Sequence, residues 1–144
     1  MGRRVRGWHL RTMATRSIRV LVVDDSALFR EALANFVAHL KGVVVAGRAS
    51  GGEEALDLAA STEPDVIFMD LMMPGLDGLA ATRALKAMSP RPAVIVCTTY
   101  DDDRLRQAAL EAGADVFMHK RDLALDAESL IRNLAGQPGI GARP

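Results

Sequence analysis

Cysteine and aromatic residues are scarce in this chain of 144 residues. Its single cysteine, Cys97, excludes an internal disulfide framework and any zinc site that needs two thiolates, and it favours a reducing, cytoplasmic compartment. No apolar run approaches the ~20 residues of a membrane-spanning helix, so no span is predicted. The remaining composition, 49% apolar and 25% charged, is typical of one globular domain.

The formal net charge is also zero, but the basic and acidic residues are unevenly distributed along the chain. Residues 1–17 contain five arginines and no acid, so the rest of the chain has a formal charge of −5. An acidic folded part is a poor candidate for direct nucleic-acid binding. The basic segment lacks both periodicity and the apolar region of a secretory signal, and we expect a disordered tail. An organelle transit peptide is the alternative, and Met13 is a second candidate for the initiator.

From residue 18 onward, short β-branched runs alternate with segments whose apolar residues recur at helical spacing. Strands are predicted at 18–23, 43–46, 66–69, 93–97 and 114–118, with a helix after each. We expect Ser50 and Glu53 to form a capping box at the second helix, and Asp77 and Asp126 to cap the third and fifth helices.

This alternation predicts an α/β fold, a doubly wound, flavodoxin-like (βα)5 domain over residues 18–135. Its five-stranded parallel sheet is expected in the order 2-1-3-4-5. Residues 136–144 are rich in glycine and proline, and we expect a flexible tail there.

Polar side chains follow four of the five predicted strands. Asp24 and Asp25 follow the first strand, Asp70 the third, Thr98 the fourth and Lys120 the fifth. The second strand ends without an acid, which fits a position at the outer edge of the sheet. Because the carboxyl ends of parallel strands share one edge, we expect these five side chains to converge there.

Phosphoryl chemistry explains this combination of groups. Clustered carboxylates repel one another unless a cation lies among them, and oxygen ligands favour Mg²⁺. A carboxylate beside Mg²⁺ can attack phosphorus, and Lys120 supplies a positive charge for phosphoryl oxygens. Taken alone, each residue has a plainer interpretation as a helix cap or a solvated side chain, so the prediction depends on their coincidence.

Four segments in order, VLVVDDS, DVIFMDLMMPGLDG, AVIVCTT and GADVFMHK, resemble the receiver domain of bacterial response regulators. The resemblance covers roughly residues 18–134. It implies that Asp70 is the phospho-accepting aspartate and that Lys120 binds the phosphoryl group. It further implies a direct Mg²⁺ ligand in Asp25, a ligand acting partly through water in Asp24, a carbonyl ligand from Met72, and the switch residues Thr98 and Phe117.

The implied function is a switch that takes a phosphoryl group from a histidine kinase or phosphotransfer protein with Mg²⁺. Such a domain is not an enzyme beyond its own phosphorylation and dephosphorylation. Its output face is expected on the fourth helix, fifth strand and fifth helix, toward an unknown partner, and a homodimer that forms on phosphorylation is left open.

One departure from the family is Arg121, which stands where a proline often follows the lysine. The absence of a proline after Lys120, together with the segment DSALFREAL after the first strand, resembles receivers that usually carry a helix-turn-helix output domain. The chain stops about ten residues after the last predicted helix. A stand-alone receiver and a truncated regulator are both open.

Two other functions are compatible with the pattern. One is an interaction module of receiver fold that works without phosphorylation, which a missing acceptor or lysine would favour. The other is a Mg²⁺-dependent phosphatase, but such enzymes usually have a second aspartate two residues after the nucleophile, where this chain has Met72.

Overall fold

The sheet and the five helices around it are described by a computed structural model, which covers residues 16–100 and 102–136. Five parallel strands form one sheet in the order β2-β1-β3-β4-β5, which confirms the predicted fold class and strand order. The strands are β1 (Ile18–Val23), β2 (Val43–Ala49), β3 (Val66–Asp70), β4 (Ala93–Thr98) and β5 (Val116–His119). The helices are α1 (Ala27–Ala38), α2 (Gly52–Thr62), α3 (Gly78–Lys86), α4 (Asp103–Glu111) and α5 (Leu123–Ala135), and a 3-10 turn spans Lys120–Asp122.

Helices cover both faces of the sheet, as double winding requires. Alternate strand residues such as Val22 and Phe68 pack against α1 and α5 on one face. Their neighbours Leu21 and Ile67 pack against α2, α3 and α4 on the other. Both faces are buried, which explains why the strands read as continuous apolar runs. No helix within the described residues is both long enough and apolar enough to span a membrane.

Several predicted boundaries differ from the structure. The strands β3 and β4 each extend one residue further than predicted, and β5 spans Val116–His119 instead of residues 114–118. The β2 strand continues to Ala49, because pairing with β1 persists past an irregularity in register after Val20. The capping box predicted at Ser50 and Glu53 is wrong: Gly51 is the N-cap, and Ser50 instead donates its amide to the Glu54 carboxylate at 2.8 Å.

The predicted cap of the last helix is also wrong. The α5 helix begins at Leu123, directly after the 3-10 turn, so that Asp126 lies within its first turn. The predicted cap at Asp77 is confirmed, because its carboxylate accepts the Ala80 amide at 2.8 Å.

The two expected tails lie almost wholly outside the described residues. Arg16, which was assigned to the basic tail, contacts the buried carboxylate of Asp65 at 2.9 Å. Asp65 also accepts the amide of Arg19. This contact ties the residues before β1 to the amino-terminal edge of the sheet.

A second anchor at that edge is centred on Asp115. One of its carboxylate oxygens accepts the Val94 amide at 2.8 Å and the Lys86 ammonium at 2.6 Å. Lys86 also donates to the carbonyl of Pro92. The pair therefore joins α3, β4 and the segment before β5.

We predict that Asp115→Ala lowers the free energy of unfolding by about 1–3 kcal/mol, because it leaves the amide of the buried Val94 without its acceptor and the Lys86 ammonium without its carboxylate. Urea denaturation measures this change. The matched control is Glu128→Ala, which removes an exposed pair with Arg132 and should cost about 0.5 kcal/mol or less. Equal losses in the two variants would contradict the assignment.

Candidate functional site

The first two carboxylates of the site lie just after β1. Asp24 is buried, with 1% of its surface exposed, whereas Asp25 faces solvent. Both oxygens of Asp24 are engaged: one accepts the Ser26 amide at 2.8 Å and the other the Lys120 ammonium at 2.6 Å. Ser26 in turn caps α1 by accepting the amide of Phe29. The start of the first helix thus fixes the orientation of Asp24.

The third carboxylate, Asp70, is the last residue of β3 and is 6% exposed. The strands β1 and β3 are adjacent, so the predicted convergence occurs. Oxygen atoms of Asp24, Asp25 and Asp70 all lie within 4.8 Å of one another. The site is therefore an acidic cluster at the carboxyl edge of the sheet, where the strand order reverses.

Gly78 allows the chain to return close to Asp70. A Cβ atom at this position would overlap with the backbone carbonyl of Asp70 and the Cα atom of Leu71. Its amide donates to the Leu71 carbonyl, which holds the start of α3 against the end of β3. Gly78 was not recognised as a site residue from sequence, since its requirement comes from packing between segments and not from a local turn.

Burial and charge together change the protonation of Asp70. The pKa of this carboxyl is raised from 3.8 to about 6, chiefly by burial and then by the negative charge of Asp24. The ammonium of Lys120 and a hydrogen bond from the Met72 amide act in the opposite direction and lower the pKa. Asp70 is ionised above about pH 6, at a cost that comes mainly from burial and in part from the charge of Asp24.

Lys120 supplies the positive charge of the site from the 3-10 turn after β5. Its ammonium lies 2.6 Å from Asp24 and 3.6 Å from Asp70, and it sits 4.2 Å above the ring of Phe29. Burial lowers the pKa of Lys120, but the hydrogen bond to Asp24 and the charge of Asp70 outweigh this effect, and the net shift is upward. Phe29 was not identified from sequence because its role depends on where α1 places it.

Thr98 lies on β4, the strand next to Asp70, and Phe117 lies on β5, one strand further along the sheet. Thr98 is buried at the end of β4, and its hydroxyl accepts the Tyr100 amide at 3.1 Å. Phe117 is buried in β5, and the guanidinium of Arg106 lies 4.9 Å from its ring centroid. Arg106 lies on α4, so Phe117 joins the sheet to that helix.

Met72 has a different environment from the acids. Its side chain is 55% exposed in the segment between β3 and α3, while its amide contacts Asp70. Because residue 72 is a methionine, the position two residues after Asp70 holds no second carboxylate of the kind expected in a phosphatase.

We predict that Asp70→Asn stabilises the magnesium-free domain above pH 6. The folded pKa of Asp70, about 6, exceeds the ordinary value of 3.8, so its contribution to stability is present below pH 4 and is lost as the pH rises through 6. Because asparagine does not ionise, the variant should gain about 1–3 kcal/mol over the wild type at neutral pH. Urea denaturation at several pH values measures the difference, and a difference that does not change with pH would contradict this account.

A family model and several relatives match the sequence of this chain. The model for the response regulator receiver domain matches residues 20–132. The response regulator GacA of Pseudomonas viridiflava is 43% identical over 121 residues, covering 83% of this chain and 56% of GacA. The transcriptional regulatory protein LiaR of Bacillus subtilis is 37% identical over 127 residues, covering 88% of this chain and 60% of LiaR. The chain thus spans less than two thirds of the length of these curated relatives.

Solved structures of receiver domains have the same fold as this chain. The response regulator domain of Thermotoga maritima CheB is 33% identical, with a TM-score of 0.78 over 85% of this chain and 98% of that domain. The signal receiver domain of the putative regulator NarL from Mycobacterium tuberculosis is 29% identical, with the same TM-score over 85% and 99% of the two chains. The chain belongs to the receiver domain family of two-component response regulators.

Proposed function

We propose that this receiver takes a phosphoryl group onto Asp70 from a histidine kinase or phosphotransfer protein, and that the phosphorylated form changes its protein partners. The observation that carries the proposal is the position of Asp70, a buried carboxylate beside two other acids and 3.6 Å from the ammonium of Lys120. We place this exchange in the cytoplasm, as the family resemblance implies.

In the transfer step, a carboxylate oxygen of Asp70 attacks the phosphorus atom of a phosphohistidine. The new bond joins oxygen and phosphorus, the bond between phosphorus and the imidazole nitrogen breaks, and the imidazole leaves with a proton from solvent. Only the ionised carboxylate has the required lone pair, and with a pKa of about 6 Asp70 is ionised at neutral pH. Lys120 lies close enough to attract the phosphoryl oxygens.

The acidic cluster fits Mg²⁺ by its donor set. The three carboxylates lie within 4.8 Å of one another, and repulsion from Asp24 contributes to the raised pKa of Asp70. We assign Asp25 and Asp70 as direct ligands, Asp24 as a ligand acting partly through water, and the carbonyl of Met72 as a further ligand. When bound, the ion neutralises negative charge on the carboxylates and phosphoryl oxygens.

The proposed switch starts at Thr98. Its hydroxyl accepts a hydrogen bond from the Tyr100 amide, and its own proton is available to a phosphoryl oxygen on the neighbouring strand. Movement of Thr98 would open space beside Phe117, whose ring lies against Arg106 of α4. We therefore place the output face on α4, β5 and α5, toward another protein surface or a second copy of the chain.

We predict that a small phosphodonor, acetyl phosphate, with Mg²⁺ adds one phosphoryl group to the wild-type protein and none to Asp70→Asn. Intact-protein mass spectrometry measures the increment, and a melting curve checks that the variant is folded. Asp77→Asn is the matched control, because Asp77 caps a helix in the same segment and lies outside the acidic cluster. Continued incorporation into Asp70→Asn, or none into the wild type, would contradict the proposal.

We predict that Asp25→Asn raises the Mg²⁺ concentration needed for half-maximal phosphorylation by about tenfold, since one of few carboxylate ligands is lost. The reaction rate is measured across a magnesium titration. Asp102→Asn serves as the control, because Asp102 is also exposed but caps α4 away from the cluster. The same magnesium dependence in both variants would exclude Asp25 as a ligand.

A further inference from the structure

His119, the last residue of β5, makes two hydrogen bonds that the proposed phosphorylation chemistry does not account for. Its Nε2 atom lies 2.8 Å from the carbonyl oxygen of Thr99. Its Nδ1 atom lies 3.0 Å from the backbone nitrogen of Arg121 and caps the 3-10 turn. The ring is half-buried and lies directly between these two backbone segments.

The two partners determine the tautomer of the ring. A carbonyl oxygen can only accept, so Nε2 must carry the proton toward Thr99. A backbone amide can only donate, so Nδ1 must be the unprotonated acceptor for Arg121. The neutral imidazole with a proton on Nε2 satisfies both contacts at once, and no other form does.

The two segments that the ring joins each hold one residue of the phosphorylation site. Thr99 directly follows Thr98, and Arg121 directly follows Lys120. The strands also place Thr98 opposite His119 in register. Beyond the end of this strand pairing, a single side chain therefore bridges the segment that follows the switch hydroxyl and the turn with the phosphoryl-binding ammonium.

We propose that His119 is a positioning residue for phosphoryl acceptance: its ring holds the segment after β4 and the Lys120 turn at the spacing at which Thr98 and Lys120 act on one phosphoryl group. The inference rests on the function proposed above. His119 does not touch the phosphoryl group; it acts through the backbone on either side. Small errors in the position of reacting groups have large effects on rate, which gives this spacing its importance.

Three substitutions of His119 separate the effect of its hydrogen bond to Thr99 from the effect of its hydrogen bond to Arg121. In His119→Asn, the side-chain oxygen can still accept the Arg121 amide, but nothing reaches Thr99. In His119→Gln, the longer amide can donate to Thr99, while the acceptor for Arg121 is lost. His119→Ala removes both. The matched control is His39→Asn, which changes an exposed histidine whose Nδ1 atom lies 2.7 Å from the carbonyl oxygen of Asn35 near the end of α1.

The measurements are the rate of Asp70 phosphorylation by acetyl phosphate and the melting temperature of each variant. We expect His119→Ala to slow phosphorylation by about fivefold or more. We expect His119→Asn to regain most of the melting temperature, because the cap is kept, while the rate stays low. His119→Gln should keep more of the rate than His119→Ala, and His39→Asn should match the wild type.

If His119 served only to cap the 3-10 turn, the melting temperature and the phosphorylation rate would recover together in His119→Asn. If His119→Asn recovers both the melting temperature and the wild-type rate, or if His119→Ala phosphorylates normally, the positioning role is overturned while the function of Asp70 stands. If the wild type itself takes up no phosphoryl group, the proposed function fails, and this inference fails with it.

A spectroscopic measurement on the unaltered protein provides an independent check. Nitrogen-15 NMR distinguishes the two neutral tautomers of histidine. We expect His119 at neutral pH to carry its proton on Nε2, with coupling across hydrogen bonds to Thr99 and Arg121. A ring protonated on Nδ1, or one that exchanges freely between tautomers, would contradict the bridge.

Discussion

The burial of one carboxylate beside two others is the constraint on which the site depends. The atoms of Asp24, Asp25 and Asp70 lie within 4.8 Å of one another at an edge where β1 and β3 meet. Burial and neighbouring charge raise the pKa of Asp70 to about 6 and make its ionised form costly. The folded domain tolerates this arrangement because Lys120 offsets part of the charge, and because two packed faces of the sheet supply stability elsewhere.

The fold positions these groups through its backbone. Parallel strands bring Asp24, Asp70 and Thr98 to one edge, and the 3-10 turn after β5 carries Lys120 back toward β1. Gly78 lets the chain pass against the Asp70 carbonyl before α3 begins. The opposite edge holds the structural ion pairs, including that of Asp115 with Lys86. The ion pairs of Asp65 and Asp115 thus lie at the end of the strands opposite to the acidic cluster.

The sequence predicted the sheet order and the convergence of acids well, because both follow from apolar periodicity and from the shared edge of parallel strands. It did not predict that Glu54, rather than Glu53, would bond Ser50, since the start of α2 depends on the extended pairing of β2. The bridge made by His119 was also missed, because both of its partners are backbone groups, which every residue type supplies and no sequence pattern indicates. Contacts of this kind depend on the register between β4 and β5, which periodicity alone does not define.

The most direct test of this account is the pKa of Asp70 itself. Carbon-13 NMR of the carboxyl group, titrated in magnesium-free buffer, should give a midpoint near 6. Adding Mg²⁺ should lower that midpoint, because a cation among the carboxylates favours the ionised form. A midpoint near 3.8 that does not respond to Mg²⁺ would show that neither burial nor repulsion destabilises the ionised carboxylate and that no cation is shared, and it would contradict the central claim.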